Sequence, residues 1–434
     1  MKNSALFLLI ILVLIACKKE QEITVIPESV LPTTTFTLTF ENIMKNQTFF
    51  QAGATDLQQP GESKSYRFVA GIGMHLSFAT MLVQSNDLFY GFEENGLALY
   101  DADGSAITGN ITHAVRLWDA GTEVNEVLGA GANQAPRQEG VNAGEREDGV
   151  IQLVDSLHDD LVYPVTDSMI RLSLEHDGNN QFVLTIENIS NTAVMSSALA
   201  PGVFTIHQQD KYLFQAAEKA STSLEAMVED GDNSSLWNQV SAETGFTSII
   251  GTGVYVVHKA GHPIFTDGEK DRAQGLETLA ESGNPETLHN VLKRDTAFSE
   301  VKLFNNPVGN NVLNLGGKLV QGDKYEFSFE ANVGDYLSIA NMLVETNDLF
   351  FAFDDTGLEL FPNGQPINGN ITHQVHLWDA GTEANQFPGA GNFQPIRNGG
   401  KEGADEGGVV RIVNDDFSYP SVDELIRVTI EATL

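Results

Sequence analysis

The chain has 434 residues, with 59 Asp and Glu against 24 Lys and Arg, which gives a formal net charge of −35. So acidic a surface repels nucleic acid and anionic lipid and attracts cations, which argues against the first two as partners. The single cysteine, Cys17, excludes an intramolecular disulfide and a cysteine-based metal site.

The N-terminal segment predicts export. An apolar run from Ala5 to Ala16 follows Lys2 and ends at Cys17. Because a membrane span needs roughly 20 residues, this shorter run fits a secretory signal better. It resembles the bacterial lipobox, in which the cysteine is acylated and becomes the first residue of the mature protein. We therefore expect a lipoprotein signal peptide over residues 1–17 and lipidation at Cys17; an uncleaved helix with a chance cysteine is the alternative.

The residues after Cys17 predict a tether and a location. Residues 18–33 have the character of a tether that ends in a Pro-Thr turn. Residues 18–22, Lys-Lys-Glu-Gln-Glu, resemble the charged tag with which some Gram-negative lineages place lipoproteins on the outer face of the outer membrane. We expect a protein of the cell envelope that is anchored to the outer membrane by its lipid alone. The sequence leaves open whether it faces the periplasm or the exterior.

Alternating apolar and polar residues predict β-strands in the segment that follows. Clear examples are residues 36–41, 66–70, 170–175 and 182–187. Short alternating stretches separated by Gly, Asn and Asp turns are typical of antiparallel sheets that pack one face and expose the other. We place a domain boundary in the turn at 176–181, although its two flanking strands could instead form a hairpin.

One segment of the chain is present twice. The first copy is marked by Asn-Asp-Leu-Phe, Gly-Asn-Ile-Thr-His and Leu-Trp-Asp-Ala-Gly-Thr-Glu at residues 86–89, 109–113 and 117–123. The same three motifs return at residues 347–350, 369–373 and 377–383. The duplication predicts a mainly β protein of two tandem antiparallel β-sandwiches, residues 34–176 and 178–434.

Residues 199–293 contain a second duplication. Strands that begin at Pro201-Gly202-Val203 and at Thr252-Gly253-Val254 each lead to a short helix that ends at a glycine. We assign both copies to the second domain, which then carries the few short helices of the protein. The first domain is then either a trimmed sandwich or one that borrows an element from this insert.

Three acidic residues are retained in both copies of the first duplication: Asp87, Asp119 and Glu123, and Asp348, Asp379 and Glu383. Calcium takes about six to eight oxygen ligands in irregular geometry, so loops at the end of a sandwich suit it. Asp119 and Glu123 can converge only if the chain turns between them, which Gly121 permits. Acids that merely cap turns are the alternative. Retention in both copies favours one calcium site in each sandwich.

Other retained residues receive structural assignments. Trp118 and Trp378 precede the second acid in each copy, where a strand tryptophan usually packs against the sandwich. The histidines of the two copies have no partner at the spacing of a zinc motif, and we expect them to bond to the backbone.

The order of these motifs resembles the spondin N-terminal domain of extracellular matrix proteins such as F-spondin and mindin, and of bacterial relatives. That family has Pro-Asp-aromatic at the first site and Trp/Tyr-Asp-Ala-Gly-Thr-Asp at the second. The resemblance covers residues 34–176 once and about 178–434 again. It implies an antiparallel β-sandwich of the kind found in calcium-dependent lipid-binding modules, with one calcium held by the acids of each copy. This chain departs from the family in its final Glu and in its lack of the family disulfides.

Catalytic motifs are scarce. The sequence has no Gly-x-Ser-x-Gly elbow, no phosphate-binding glycine-rich loop before a helix and no cysteine nucleophile beyond the Cys17 that we expect to be lipidated. We therefore expect a non-catalytic, calcium-binding module for adhesion or ligand binding, whose partner is a protein or glycan at the cell surface. A purely structural envelope protein with stabilising calcium and a glycan hydrolase that uses paired carboxylates are the alternatives. The resemblance does not name the partner.

Overall fold

The computed structural model describes residues 33–309 and 316–433. The predicted signal peptide, the lipidation site at Cys17 and the predicted tether as far as residue 32 lie outside the described residues. None of the helices in the described segments is long and apolar enough to cross a membrane.

Most of the regular structure is β. In chain order the strands are β1 Thr34–Asn42, β2 Gln51–Ala54, β3 Ser63–Val69, β4 Met74–Met81, β5 Leu88–Gly91, β6 Leu97–Ala98, β7 Gly109–Asn110, β8 Arg116–Asp119, β9 Gln152–Leu153, β10 Ile170–His176, β11 Gln181–Asn188, β12 Val203–Gln208, β13 Ile250–Lys259, β14 Phe298–Phe304, β15 Lys324–Ala331, β16 Asp335–Leu343, β17 Leu349–Ala352, β18 Leu358–Glu359, β19 Gly369–Asn370, β20 His376–Asp379, β21 Arg411–Ile412 and β22 Ile426–Thr433. The α-helices are α1 Thr166–Met169, α2 Thr222–Asp230, α3 Ser234–Ala242, α4 Leu276–Ser282, α5 Glu286–Leu292 and α6 Val422–Leu425. The predicted mainly β class is confirmed.

These strands pair antiparallel in four sheets. What we call the first sheet pair consists of a four-stranded sheet in the order β3-β11-β10-β7 and a larger sheet in the order β2-β12-β4-β5-β8-β9, with β6 beside β4. The second sheet pair consists of β15-β1-β22-β19 and β14-β13-β16-β17-β20-β21, with β18 beside β16.

One apolar core lies within each sheet pair. In the first, Leu172 and Phe182 of the smaller sheet share a buried cluster with Phe78 of the larger one. In the second, Phe36 of β1 shares a cluster with Tyr255 of β13. Because the two sheets of a pair contribute their inner faces to one core, the architecture is β-sandwich-like.

Helices cover the outer face of each larger sheet. Met227 of α2 packs in a buried cluster with Trp118 of the first sheet pair. Leu279 of α4 does the same with Trp378 of the second sheet pair. Strands β4 and β16 are therefore buried on both faces, and all but one residue of each strand is buried, including polar residues such as Ser77 and Ser338.

The observed sheets differ from the predicted domains at the proposed boundary. Strands β10 and β11 pair from Ile170↔Asn188 to His176↔Phe182, so the turn at residues 177–180 lies inside a hairpin of the first sheet pair. The alternation of both strands is compatible with a hairpin as well as with a boundary, and only the pairing distinguishes the two.

The first strand belongs to the second sheet pair and not, as predicted, to the first. Strand β1, predicted to begin the first sandwich, pairs with β15 and β22 in the second sheet pair. Phe36, Leu38 and Phe40 are fully buried there. In the first sheet pair the equivalent place, between β3 and β10, is occupied by β11.

The second duplication is divided between the sheet pairs. Strand β12 pairs with β2 and β4 of the first sheet pair, whereas β13 pairs with β14 and β16 of the second. Each strand keeps its own two helices beside it. The first sheet pair therefore takes a strand, β12, from the segment 199–293, which was one of the two predicted alternatives. All strands of the first sheet pair lie in the chain between β1 and β13.

Candidate metal centres

The retained aspartates meet where two neighbouring strands end. Asp87 directly precedes β5 and Asp119 is the last residue of β8, and Leu88 pairs with Asp119 across these strands. Asp348 and Asp379 have the same relation at β17 and β20, since Leu349 pairs with Asp379. We call the Asp87–Asp119 pair the first centre and the Asp348–Asp379 pair the second centre.

A glycine turn aims backbone donors at the first aspartate of each centre. Gly121 has a left-handed φ of 68°, and a Cβ there would lie 2.6 Å from the backbone nitrogen of Val150. After this turn, the N–H groups of Thr122 and Glu123 donate to Asp87 Oδ2 over 2.7 and 3.1 Å. The Thr122 hydroxyl donates to the same oxygen over 3.1 Å.

The other oxygen of this carboxylate is buried and lacks a donor. Among the described residues, neither Asp87 Oδ1 nor its counterpart Asp348 Oδ1 has a hydrogen-bond partner. Both side chains are fully buried. A buried carboxylate oxygen without a donor costs free energy unless a cation or water meets it. The same unmet oxygen in both copies is a place that a cation, a water molecule or a proton can fill.

The second aspartate of each centre is held by its own loop. Gly121 N–H donates to Asp119 Oδ1 over 2.8 Å, and the Asn125 side-chain amide donates to Asp119 Oδ2. Gly381 N–H donates to Asp379 Oδ1 over 2.6 Å, and Asn385 donates to Asp379 Oδ2 over 3.0 Å. These bonds fix both carboxylates without bringing an opposite charge into the first centre.

Burial makes it unfavourable for both acids of a pair to be ionised. Burial, followed by the charge of Asp119, raises the pKa of Asp87 to about 8. The pKa of Asp119 is raised to about 6, again chiefly by burial. At the second centre burial and the charge of Asp379 raise the pKa of Asp348 to about 7. Neutralising such a pair at neutral pH requires either protons or a cation.

The predicted third ligand of each centre binds elsewhere. Glu123 accepts from Gly144 N–H over 2.8 Å and from the Asn86 side chain over 3.3 Å. Glu383 likewise accepts from Gly403 N–H and from the Asn347 side chain. The backbone N–H groups of Glu123 and Glu383 donate to Asp87 and Asp348. Their carboxylates bond the loop at Gly144 or Gly403 and the asparagine that precedes each aspartate.

An acid that was not predicted takes the third place in the second centre. Within the described residues, carboxylate oxygens of Asp348, Asp379 and Glu406 lie within 4.8 Å of one another, and Glu383 is not in this group. Glu406 has a counterpart in Glu147, because their N–H groups donate to the equivalent carbonyls of Thr382 and Thr122. The short repeat Glu-x-Gly-Val, at residues 147–150 and 406–409, is the sequence signal that could have found both.

The retained tryptophans and strand histidines have structural roles. Trp118 is buried and donates to the Phe92 carbonyl over 3.2 Å, and Trp378 donates to the Phe353 carbonyl over 3.1 Å. His207 and His258 are also buried, and Nε2 of each bonds a serine hydroxyl at 2.8 Å. Neither pair of residues joins a metal centre.

The chain matches no protein-family model and no curated protein sequence. The spondin-type assignment therefore stays a prediction that depends on the repeated motifs.

Proposed function

We propose that this protein is a non-catalytic, calcium-binding β-sandwich module that serves adhesion or ligand binding at the cell envelope. The observation that carries the proposal is the buried aspartate pair, formed in both copies, in which one carboxylate oxygen lacks a donor among the described residues. The spondin-type relationship and the lipid anchor belong to the same proposal and depend on the sequence motifs.

The donor atoms favour calcium over other common metals. The acids of the second centre and the aspartates of the first offer only oxygen, and no histidine or cysteine belongs to the one acidic group found within the described residues. Zinc and softer metals prefer nitrogen and sulfur ligands, whereas calcium accepts carboxylate and carbonyl oxygens in irregular arrangements.

A concave acidic surface beside the second centre supports the ligand-binding part of the proposal. An open cavity of about 410 Å³ adjoins Thr382 and Glu383. Its charged lining consists of Asp271, Glu277, Glu281, Glu383, Glu402 and Asp405, with Lys270. Such a surface attracts a cationic group of a partner.

Calorimetric titration of the purified full-length protein with calcium tests the proposal. We expect saturable binding and a raised melting temperature in the wild type, and loss of both in the double variant Asp87→Asn, Asp348→Asn. The variant Glu139→Gln, which removes one exposed charge, is the matched control and should bind as the wild type does. Absence of heat and of any melting shift up to millimolar calcium would refute the proposal.

A second double variant separates adhesion from a purely structural role. Asp119→Asn with Asp379→Asn should abolish calcium-dependent binding to a cell-surface glycan or protein panel while the protein still folds. If partner binding persists without calcium, the ion only stabilises the fold. Turnover of a glycan panel by the wild type would instead favour the hydrolase alternative.

A further inference from the structure

The two centres differ at one position of the neighbouring strand. Asp119 pairs with Gln152 of β9, whereas Asp379 pairs with Arg411 of β21. Arg411 Nη2 lies 2.7 Å from Asp379 Oδ2 and 2.7 Å from Glu406 Oε1. The second centre thus contains the guanidinium of Arg411. At the equivalent position the first centre has the neutral amide of Gln152.

The Arg411 guanidinium occupies oxygens that a metal ion would need. Of the three acids that converge in the second centre, two already accept its charge-assisted hydrogen bonds. Such bonds are stronger than those between neutral groups, and the fixed positive charge also repels a second cation at close range. Two of the three acids, Asp379 and Glu406, are therefore held together by a cation of the chain itself.

The first centre has buried oxygens without a hydrogen-bond partner on two side chains, whereas the second centre has one, Asp348 Oδ1, among the described residues. Asp87 Oδ1 and Asn125 Oδ1 are both buried without a hydrogen-bond partner among the described residues. Asp87 is a fully buried carboxylate, and Asn125 already contacts Asp119 through its amide nitrogen. Carboxylate and side-chain amide oxygens are both calcium ligands.

We propose, on the basis of the function proposed above, that the first centre binds calcium and that Arg411 serves as the resident cation of the second centre. The guanidinium then lowers the calcium affinity of the second centre by about tenfold or more relative to the first. Gln152 and Arg411 are thus the residues that decide which centre depends on the metal. The chain takes up one calcium ion in the concentration range that saturates the first centre.

Reciprocal substitutions test this assignment. Calorimetric titration of the full-length protein should give one calcium per chain for the wild type, about two for Arg411→Gln and none in the same range for Gln152→Arg. The variant Arg427→Gln makes the same change of charge as Arg411→Gln at an exposed ion pair with Glu41, and should keep one site. Circular dichroism confirms that each variant is folded.

The outcomes separate this inference from the proposed function. Two equal sites in the wild type, or one site that Asp348→Asn abolishes and Asp87→Asn leaves intact, would overturn the inference and leave calcium binding standing. Absence of binding by the wild type and by Arg411→Gln would instead overturn the proposed function.

Terbium luminescence provides a second measurement that leaves every acid in place. Trp118 and Trp378 each directly precede the second aspartate of one centre, so tryptophan excitation reports which centre holds a terbium ion. We expect Trp118→Phe to remove most of the sensitised emission at low terbium and Trp378→Phe to leave it nearly unchanged. The reverse pattern would contradict the assignment even if an aspartate variant failed to fold.

Discussion

Replacing Asp87 by asparagine should make the metal-free protein more stable at alkaline pH. The asparagine oxygen in Asp87→Asn can still accept the N–H groups of Thr122 and Glu123 that now bond Asp87 Oδ2. The substitution removes a negative charge from a fully buried position beside Asp119. Among the described residues, no Lys or Arg forms an ion pair with either aspartate, in contrast to Arg411 with Asp379. It keeps the size of the side chain, so packing is preserved.

The magnitude follows from the pKa of Asp87. Burial and the charge of Asp119 raise that pKa from 3.8 to about 8, so the folded protein retains a proton that the unfolded chain releases. The stabilising contribution is complete below the unfolded pKa of 3.8 and is lost as the pH rises through about 8. One proton over the interval from about pH 5 to about pH 8 corresponds to about 4 kcal/mol, as an upper value.

The assay is denaturant unfolding of wild type and Asp87→Asn in the presence of a chelator, followed by tryptophan fluorescence. We expect the wild type to lose stability relative to the variant as the pH rises from about 5 to about 8. Added calcium should reverse the order at the upper pH, because the ion needs the carboxylate. A stability difference that is independent of pH, or a variant that is less stable than metal-free wild type at pH 8, would refute this account of the first centre.

Three further changes have defined outcomes. Gly121→Ala should destabilise the protein by more than about 1 kcal/mol and weaken calcium binding, because φ is 68° and the added Cβ meets Val150; denaturant unfolding with calorimetry measures both. Trp118→Ala should cost about 3–5 kcal/mol, as it leaves a cavity against Phe214, and the loss is read from thermal melts with His113→Ala as control. Deletion of residues 34–42 should remove hydrogen-exchange protection from β15 and β22 and spare β3 and β10; equal loss in both sheet pairs would contradict the assignment of β1.

The elements and the aspartate pairs could be predicted because their signals are local. Alternation in β10 and β11 shows where strands lie, and the repeat marks Asp87 and Asp119 as retained. Their convergence also follows once β5 and β8 are neighbours, since each acid stands at a strand end.

The remaining features depend on contacts that no local pattern records. Strand β1 has the same alternation wherever it pairs, so its place beside β15 and β22 could not be deduced. Glu123 was expected to turn toward the aspartates because of its spacing, but its carboxylate reaches Gly144, a residue of a distant loop. Glu406 bonds Arg411 in the second centre. Only the folded structure shows that Glu406 lies close to Asp348 and Asp379.

The insertion of the first sheet pair has a consequence for synthesis of the chain. Strands β1 and β11 share the pattern Phe-x-Leu-Thr-x-Glu-Asn, and their terminal asparagines, Asn42 and Asn188, both donate to two backbone carbonyls. A ribosome delivers β1 and then β3 to β10 before it delivers β11. Of the two strands with this pattern, β1 is therefore the first that can reach the open place between β3 and β10, although it belongs in the second sheet pair.

Chain connection resolves this competition. Strand β11 is joined to β10 by the turn at residues 177–180, so its closure onto β10 costs little entropy, whereas β1 would have to close a loop of more than a hundred residues to reach β10. While it waits for β15 and β22, β1 is an unpaired apolar strand, which is the kind of segment that chaperones protect. The tight hairpin thus favours β11 over the similar strand β1 for the place beside β10.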